Sequence, residues 1–293
     1  MVTFRRSDPR TEDAIVFRNI LIATDGSPHA QASLEAALWL APRVKGTVHI
    51  EHVIDLVALE GPFLHDLSGS LGFEPFLNFS TRVRETLAER GRTILDEAAR
   101  KAAAAGVEAD THLEYGIVPN EICERGKIAD LIVVGANGMN ARFERGLLGS
   151  VTEAVTRRAS KPVLVIPGPF GCITSPLLPY DGSSPAGKAL EKAAELSSAL
   201  GLPLTVVAFS DDEEEREKRA EEVRSYLKPY SLAVHIEAGS GAPATAILET
   251  VRTGGHDLIV MGAFGHSRIV EMVLGSTTET VLRQSSVPVL LTH

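Results

Sequence analysis

The sequence predicts an α/β protein made of two tandem open parallel five-stranded sheets, each with helices on both faces. Three observations carry this prediction, and the first is an internal repeat within the 293 residues. In each copy, β-rich runs alternate with helical stretches, which is typical of parallel sheets covered by helices. Runs such as Leu-Ile-Val-Val at 131–134 are apolar throughout, as in strands that are buried on both sides.

The repeat consists of three blocks that align without gaps, and they pair 25–53 with 181–209, 130–138 with 257–265, and 148–164 with 274–290. The first copy has a longer segment, mostly within 55–80, and one additional residue between Gly138 and Gly149. We therefore predict two domains, 1–170 and 171–293. The first would carry a polar N-terminal arm over 1–17 and an apolar-rich insertion at about 55–80, and a linker would cover 167–171.

The elements follow from local periodicity and composition. In the first copy, strands are predicted at 20–24, 47–53, 109–114, 131–134 and 163–166, with helices over 30–42 and 81–105. In the second copy, strands are predicted at 176–180, 204–209, 233–237, 258–261 and 287–291, with a charge-rich helix over 211–228. The strand at 176–180 is the weakest of these, because Pro179 removes one donor from the ladder.

Composition restricts the partners and the compartment. The formal net charge of −9 argues against nucleic acid or an anionic membrane surface as the main partner. No apolar run approaches the ~18 residues that span a bilayer, and the N-terminus has no apolar signal region. Cys123 and Cys172 have no metal-type spacing and are expected to be reduced thiols. We therefore expect a cytoplasmic protein without membrane insertion.

The segment after the fourth strand of each copy contains the candidate binding residues. In the second copy, Gly262 and Gly265 are followed by nine residues and then by Gly275-Ser276, which opens a helix. The first copy has Gly135, Gly138, Gly149 and Ser150, with ten residues in the loop. Ligands of open α/β sheets lie outside the carboxyl ends of the strands, and a helix start offers N–H groups to an anion. This pattern predicts a phosphate site.

Another interpretation needs no ligand. Ser150-x-x-Glu153 and Ser276-x-x-Glu279 both match capping boxes, in which the Ser and Glu side chains satisfy the first turn of the helix. Asp25, with Gly26 beside it, is as easily a turn residue as a ligand. His49 and Glu51 share one strand face, but ordinary core and surface roles are favoured there. No metal ligand and no catalytic residue is predicted.

The chain resembles the universal stress proteins over about residues 18–166 and 173–292. The resemblance rests on Asp-Gly-Ser after the first strand, the Gly-x2-Gly-x9-Gly-Ser pattern, and the closing Pro-Val-Leu strand. It implies a Rossmann-like fold of the adenine-nucleotide alpha-hydrolase type. In the ATP-binding branch of this family the glycines hold ribose and phosphates, which implies ATP with Mg²⁺ as the ligand, with AMP or ADP as alternatives.

The resemblance also implies the remaining site residues. Asp25 and Asp181 would face the nucleoside, and Val53 and Phe209 would border the adenine. The first copy departs from the family pattern by its longer loop, in which Arg142 and Arg145 are candidate phosphate partners. The second copy departs by Pro179 in its first strand and by the bulky Phe209, which either stacks on a base or fills the pocket. At least one occupied site is expected, and either copy could provide it.

Three functions remain open. The first is a regulatory adenine-nucleotide-binding protein of the stress response, which acts through conformational or partner effects. The second is a slow ATPase or nucleotide-transferring enzyme of the same fold, and the third is a ligand-free interaction scaffold. We predict no efficient catalysis, because no nucleophile is paired with a base.

Two further expectations concern surfaces. The last strand of each copy would leave an apolar edge, and such edges are normally covered. By resemblance to single-domain relatives, we expect the two last strands to pair antiparallel within one chain. The tandem chain could then exist as a monomer or as a homodimer, and we favour the homodimer. The apolar insertion is expected to form a lid over the first copy or a partner surface, with an ordinary packed loop as the alternative.

Overall fold

The computed structural model describes residues 16–55, 73–139, 148–263 and 274–293, and the side chains of the helix that begins at residue 73 are described from residue 81 onward. This part of the chain contains ten strands and eight helices. The strands are β1 (Asn19–Ala23), β2 (Thr47–Asp55), β3 (Ala109–Gly116), β4 (Leu131–Gly135), β5 (Val163–Ile166), β6 (Pro176–Tyr180), β7 (Leu204–Phe209), β8 (Val234–Gly239), β9 (Leu258–Gly262) and β10 (Val289–Thr292). The helices are α1 (Pro28–Val44), α2 (Phe73–Ala104), α3 (Val118–Gly126), α4 (Ser150–Arg158), α5 (Ser184–Leu200), α6 (Glu213–Leu227), α7 (Pro243–Gly254) and α8 (Ser276–Gln284).

All described strands form one sheet in the order β3-β2-β1-β4-β5-β10-β9-β6-β7-β8. The strands within each half are parallel, and the halves meet where β5 and β10 pair antiparallel, with Leu164 opposite Leu290. The predicted α/β class is confirmed. Each half contributes five parallel strands, and the antiparallel β5–β10 pairing joins the halves into a single sheet.

Two helical layers cover the sheet, and each layer has its own apolar core. Residues of α1, α2, α5 and α6 belong to one core cluster, whereas residues of α3, α4, α7 and α8 belong to the other. Both clusters include residues from both halves of the chain, so each core crosses the β5–β10 junction. The outer edge strands β3 and β8 carry polar residues such as Asp110 and Glu237, which oppose pairing with another chain.

Two predicted boundaries differ from the structure. Val16 and Phe17 are buried in the core instead of belonging to a polar arm, and residues 1–15 lie outside the described part. The predicted insertion includes Phe73–Ser80, which is the first part of the 32-residue helix α2 and not a loop. The rest of the predicted lid, over 56–72, lies outside the described residues.

In the linker, Phe170 packs edge-on against Trp39 of α1, with 5.8 Å between ring centroids.

None of the helices that the structure describes has the length and apolar character needed to cross a membrane.

Leu290 allows a test of the junction between the halves, because its side chain is 1% exposed within the core. We expect Leu290→Ala to lower the free energy of unfolding by about 2–5 kcal/mol, since the truncation removes buried contacts and leaves a cavity. Ile128→Ala is the matched control, because Ile128 is 78% exposed and should change stability by less than about 0.5 kcal/mol. Denaturant unfolding measures both variants, and equal losses would contradict a buried junction.

Candidate functional site

A cavity of about 360 Å³ lies at the carboxyl ends of β1, β2 and β4 in the first half of the chain. Its size falls in the range of small-molecule sites. Its lining includes all six site residues that the sequence predicted for the first copy, namely Asp25, Val53, Gly135, Gly138, Gly149 and Ser150. The structure therefore brings together residues that are far apart in the sequence, since Asp25 follows β1 and Ser150 begins α4.

The Asp-Gly-Ser segment forms the turn from β1 into α1. Gly26 has a φ of +76°, a conformation that residues with a Cβ rarely adopt, which explains the glycine. The hydroxyl of Ser27 accepts a hydrogen bond from the N–H of Ala30 and caps α1. Asp25 accepts from the N–H of Ser27 through Oδ1 and from the N–H of Met139 through Oδ2, at 2.9 and 3.0 Å. One carboxylate thus fixes both the turn and the loop after β4.

The glycines after β4 allow close approach within the protein itself. A Cβ at Gly138 would lie 2.8 Å from Oδ2 of Asp25, and a Cβ at Gly135 would lie 2.9 Å from the Cβ of His29. Both distances are shorter than a carbon atom tolerates. These contacts account for glycine at both positions, and they also leave the backbone uncovered at the cavity.

The start of α4 contradicts the capping-box interpretation. Gly149 is the N-cap residue and Ser150 is the first helical residue, so no side chain caps this described helix start. Glu153 pairs with Arg157 at 2.6 Å, while Thr152 Oγ1 donates to the carbonyl oxygen of Gly135 at 2.6 Å. Because the first N–H groups of a helix have no intrahelical acceptor, this end of α4 presents donors to the cavity.

Helix α2 supplies a wall that the sequence analysis did not assign to the site. Leu87, Arg90 and Ile94 recur at helical spacing and line the cavity. The periodicity of Leu87 and Ile94 was visible in the sequence, but it indicated only a buried helix face. Thr24 and His52 also line the cavity, and the carbonyl oxygen of Thr24 lies 2.7 Å from Nδ1 of His52.

A buried carboxyl group lies on the same strand as Val53. Glu51 is 1% exposed, and its Oε1 accepts from Nε of Arg125 at 3.0 Å, while Arg125 also pairs with Glu114. Burial raises the pKa of Glu51 above its ordinary value, although the ion pair with Arg125 opposes this shift. Burial and the nearby Arg125 charge also lower the pKa of His112. Across the described residues, no cluster of three His, Cys, Asp or Glu side chains could hold a metal ion.

The second copy places larger side chains at the equivalent positions. Phe209 stands where the first copy has Val53, and it is 6% exposed and packed in the core. Arg219 donates to the carbonyl oxygen of Phe209, and its Nε would lie 3.2 Å from a Cβ at Gly182. In the first copy the corresponding contact with Gly26 is made by Ile94. Phe209 and Arg219 therefore cover the region where the first copy has its cavity.

The remaining predicted residues of the second copy repeat the backbone of the first. Oδ1 of Asp181 accepts from the N–H of Ser183 at 3.0 Å, and Thr278 Oγ1 donates to the carbonyl oxygen of Gly262 at 3.1 Å. Gly275 is the N-cap of α8 and Ser276 is its first residue, so a capping box is absent from this described helix start as well. Gly265, like Arg142 and Arg145 of the first copy, lies outside the described residues.

The chain belongs to the universal stress protein family, whose model matches residues 17–167 and 207–293. The match leaves out 168–206, which includes the strand with Pro179. A universal stress protein of Synechocystis sp. is 33% identical over 283 residues, which cover 93% of this chain and 99% of that protein. One from Bacillus subtilis is 31% identical over 153 residues, which cover 52% of this chain and 99% of its own. Half of this chain thus corresponds to the whole length of that relative.

The solved structures include a universal stress protein from Archaeoglobus fulgidus with the same architecture. Its TM-score against this chain is 0.75 at 26% sequence identity, and the match covers 94% of this chain and 98% of that one. The tandem arrangement therefore extends over nearly the full length of both proteins.

Glu51 gives the structure a pH dependence that can be measured. Because burial raises its pKa in the folded state, the contribution of Glu51 to stability is fully present below its unfolded pKa and is lost as pH rises through its folded pKa. Glu51→Gln removes the titrating group and keeps an acceptor for Arg125. Relative to the wild type, Glu51→Gln should therefore be more stable at pH 7 than at pH 4. We expect the difference in melting temperature between the variant and the wild type to become more positive over this range.

Glu114→Gln is the control, because Glu114 also pairs with Arg125 but its side chain is 40% exposed. Thermal unfolding of all three proteins at several pH values makes the comparison. A difference between Glu51→Gln and the wild type that stays constant with pH would contradict the raised pKa.

Proposed function

We propose that this chain is a regulatory protein of the stress response that binds an adenine nucleotide, with ATP as the favoured ligand, in the cavity of its first copy. The observation that carries the proposal is the convergence of six predicted site residues on one open cavity beside the first turn of α4. The family resemblance supplies the kind of ligand, and the cavity supplies the space for it.

The described residues divide the cavity into an apolar and a polar part. Val53, Val118 and Ile122 provide apolar surface for a base. The backbone near Gly138 and the first turn of α4 would hold phosphates, because helix N-termini attract anions. Asp25 also lines the cavity and would meet the ribose.

Mg²⁺ would enter with the nucleotide. Mg²⁺ in nucleotide sites is usually held by phosphate oxygens and water with one or two carboxylates. The described residues contain no three-residue cluster suited to a metal, which fits an ion that arrives with the triphosphate. AMP or ADP would bind through the same base and ribose contacts.

Only the first copy is proposed to bind. In the second copy, Phe209 and Arg219 cover the region that corresponds to the cavity. Of the two roles that the sequence left open for Phe209, burial at 6% exposure favours filling over stacking on a base. The expected stoichiometry is therefore one nucleotide per chain.

The proposed mode of action is regulatory, through conformation or a partner protein. Both oxygens of Asp25 accept backbone hydrogen bonds, one from Ser27 and one from Met139 in the loop after β4. A carboxylate held in this way is suited to fixing a loop and less suited to moving protons. We place the protein in the cytoplasm, where unpaired thiols such as Cys123 and Cys172 persist.

Gly138 and Gly168 provide a matched pair for testing the site. We expect Gly138→Val to weaken ATP binding by about tenfold or more, because inserting carbon atoms at a packed position typically costs about 1–3 kcal/mol. At Gly168 an added Cβ would meet nothing within 4 Å, so Gly168→Val should bind as the wild type does.

Isothermal titration calorimetry with Mg-ATP gives both affinity and stoichiometry, and small molecules released by denaturing the purified protein identify the natural ligand. Equal affinity of the wild type and Gly138→Val would contradict the site, and absence of any nucleotide binding by the wild type would favour a ligand-free scaffold. Steady phosphate release that is lost in Asp25→Asn would favour a slow ATPase.

The proposed assembly uses the β5–β10 pair, and its test separates the copies. A fragment of residues 171–293 leaves the apolar edge of β10 uncovered, so we expect it to associate with itself. The same fragment with Val289→Lys and Leu291→Lys should remain a monomer. Sedimentation of both fragments and of the full chain gives the masses, with a homodimer expected for the full chain. A folded, monomeric wild-type fragment would show that edge pairing does not drive assembly.

A further inference from the structure

The charged residues around the cavity of the first copy are mostly acidic. Asp25, Glu51 and Asp55 line it, and Arg90 is the single Arg or Lys among the described lining residues. Glu51 is already paired with Arg125, but Asp25 and Asp55 add acidic groups to the lining, so an anionic ligand gains from a cation in the cavity wall. Arg90 is the side chain of the described wall that could provide the positive charge.

Arg90 extends from α2 across the mouth of the cavity toward the loop after β4. Its Nη2 lies 3.2 Å from Sδ of Met139, the residue directly after Gly138. A thioether is a weak acceptor, and Arg90 forms no ion pair with any residue that the structure describes. A guanidinium group at this place keeps most of its donors available to a ligand.

The second copy offers an internal comparison. Ile94 in the first copy and Arg219 in the second both contact the glycine of the Asp-Gly-Ser turn. One helical turn before these residues stand Arg90 and Glu215, respectively. Glu215 pairs with Arg219 at 3.5 Å, so the second copy has an acid at this position and satisfies it internally. At this helical position, the first copy therefore has a cation and the second copy has an acid, while the cation Arg219 of the second copy lies one turn further on.

We propose that Arg90 binds the phosphate oxygens of the ligand opposite the first turn of α4, so that the site takes nucleotides in preference to nucleosides. This inference rests on the nucleotide site proposed for the first copy. A planar guanidinium donates two parallel hydrogen bonds to a phosphate, and such charge-assisted bonds are stronger than the contact with Met139 that they would replace. The acidic cavity then discriminates against anions that cannot reach Arg90.

The test compares ligands with and without phosphate on the full chain. Binding of Mg-ATP, AMP and adenosine is measured by calorimetry for the wild type, Arg90→Gln and Arg90→Lys. Arg90→Gln should weaken Mg-ATP binding by about tenfold, and adenosine binding should change by less than about twofold. The affinity of Arg90→Lys for Mg-ATP should lie between those of the wild type and Arg90→Gln, because an ammonium group keeps the positive charge but cannot donate two parallel hydrogen bonds.

The matched control is Arg92→Gln, because Arg92 is exposed on the same helix and does not line the cavity. It should bind all three ligands as the wild type does. Melting temperatures check that the variants fold, which is expected because Arg90 is also exposed.

The outcomes separate the two proposals. If the wild type binds Mg-ATP but Arg90→Gln loses as much affinity for adenosine as for ATP, or loses none, the role of Arg90 is wrong and the site stands. If the wild type binds none of the three ligands, the nucleotide site itself is wrong, and the role of Arg90 falls with it.

Discussion

The antiparallel pairing of β5 with β10 is the interaction on which the rest of the structure depends. Each half is an open parallel sheet, and an open sheet has edges that must be covered. The last strand of each half is buried on every residue, and pairing these strands buries both edges at once. The opposite edges, β3 and β8, are left at the outside with polar residues. The two helical layers follow, because each can then bury one continuous face.

The order of elements could be predicted from the sequence because it depends on local patterns. The repeat, the alternation of strand and helix, and the apolar runs identified all ten strands within a few residues. The start of α2 could not be predicted, since Phe73–Ser80 carry many apolar residues and read as an insertion. The pairing of the two last strands was expected from the family resemblance and not from local patterns, because it joins residues more than a hundred positions apart.

The six predicted residues of the first copy converge because they follow the same ends of parallel strands, where the fold itself brings them together. Two features were missed, for different physical reasons. The capping box failed by one residue, since Gly149 takes the N-cap position and leaves Ser150 inside the helix. Arg90 looked like one more exposed charge on α2, and only its distance to Met139 connects it with the loop.

The two halves differ most where the repeat had suggested equivalence. Val53 and Phe209 occupy the same place in the alignment, and Ile94 and Arg219 make the equivalent contact with the turn glycine. The larger pair fills space beside the turn glycine of the second half, where the smaller pair of the first half lies beside the cavity. A backbone that is duplicated nearly intact can therefore carry different side chains at equivalent positions of its two copies.

The short linker with Phe170 against Trp39 has a consequence for how the protein behaves in the cell. A single-domain relative that pairs through its last strand must find a second molecule, and dilution drives such a pair apart. Here the partner is tethered, so its effective concentration is set by the linker and not by the amount of protein made. The pairing of the two halves is then independent of how many copies of the protein the cell holds.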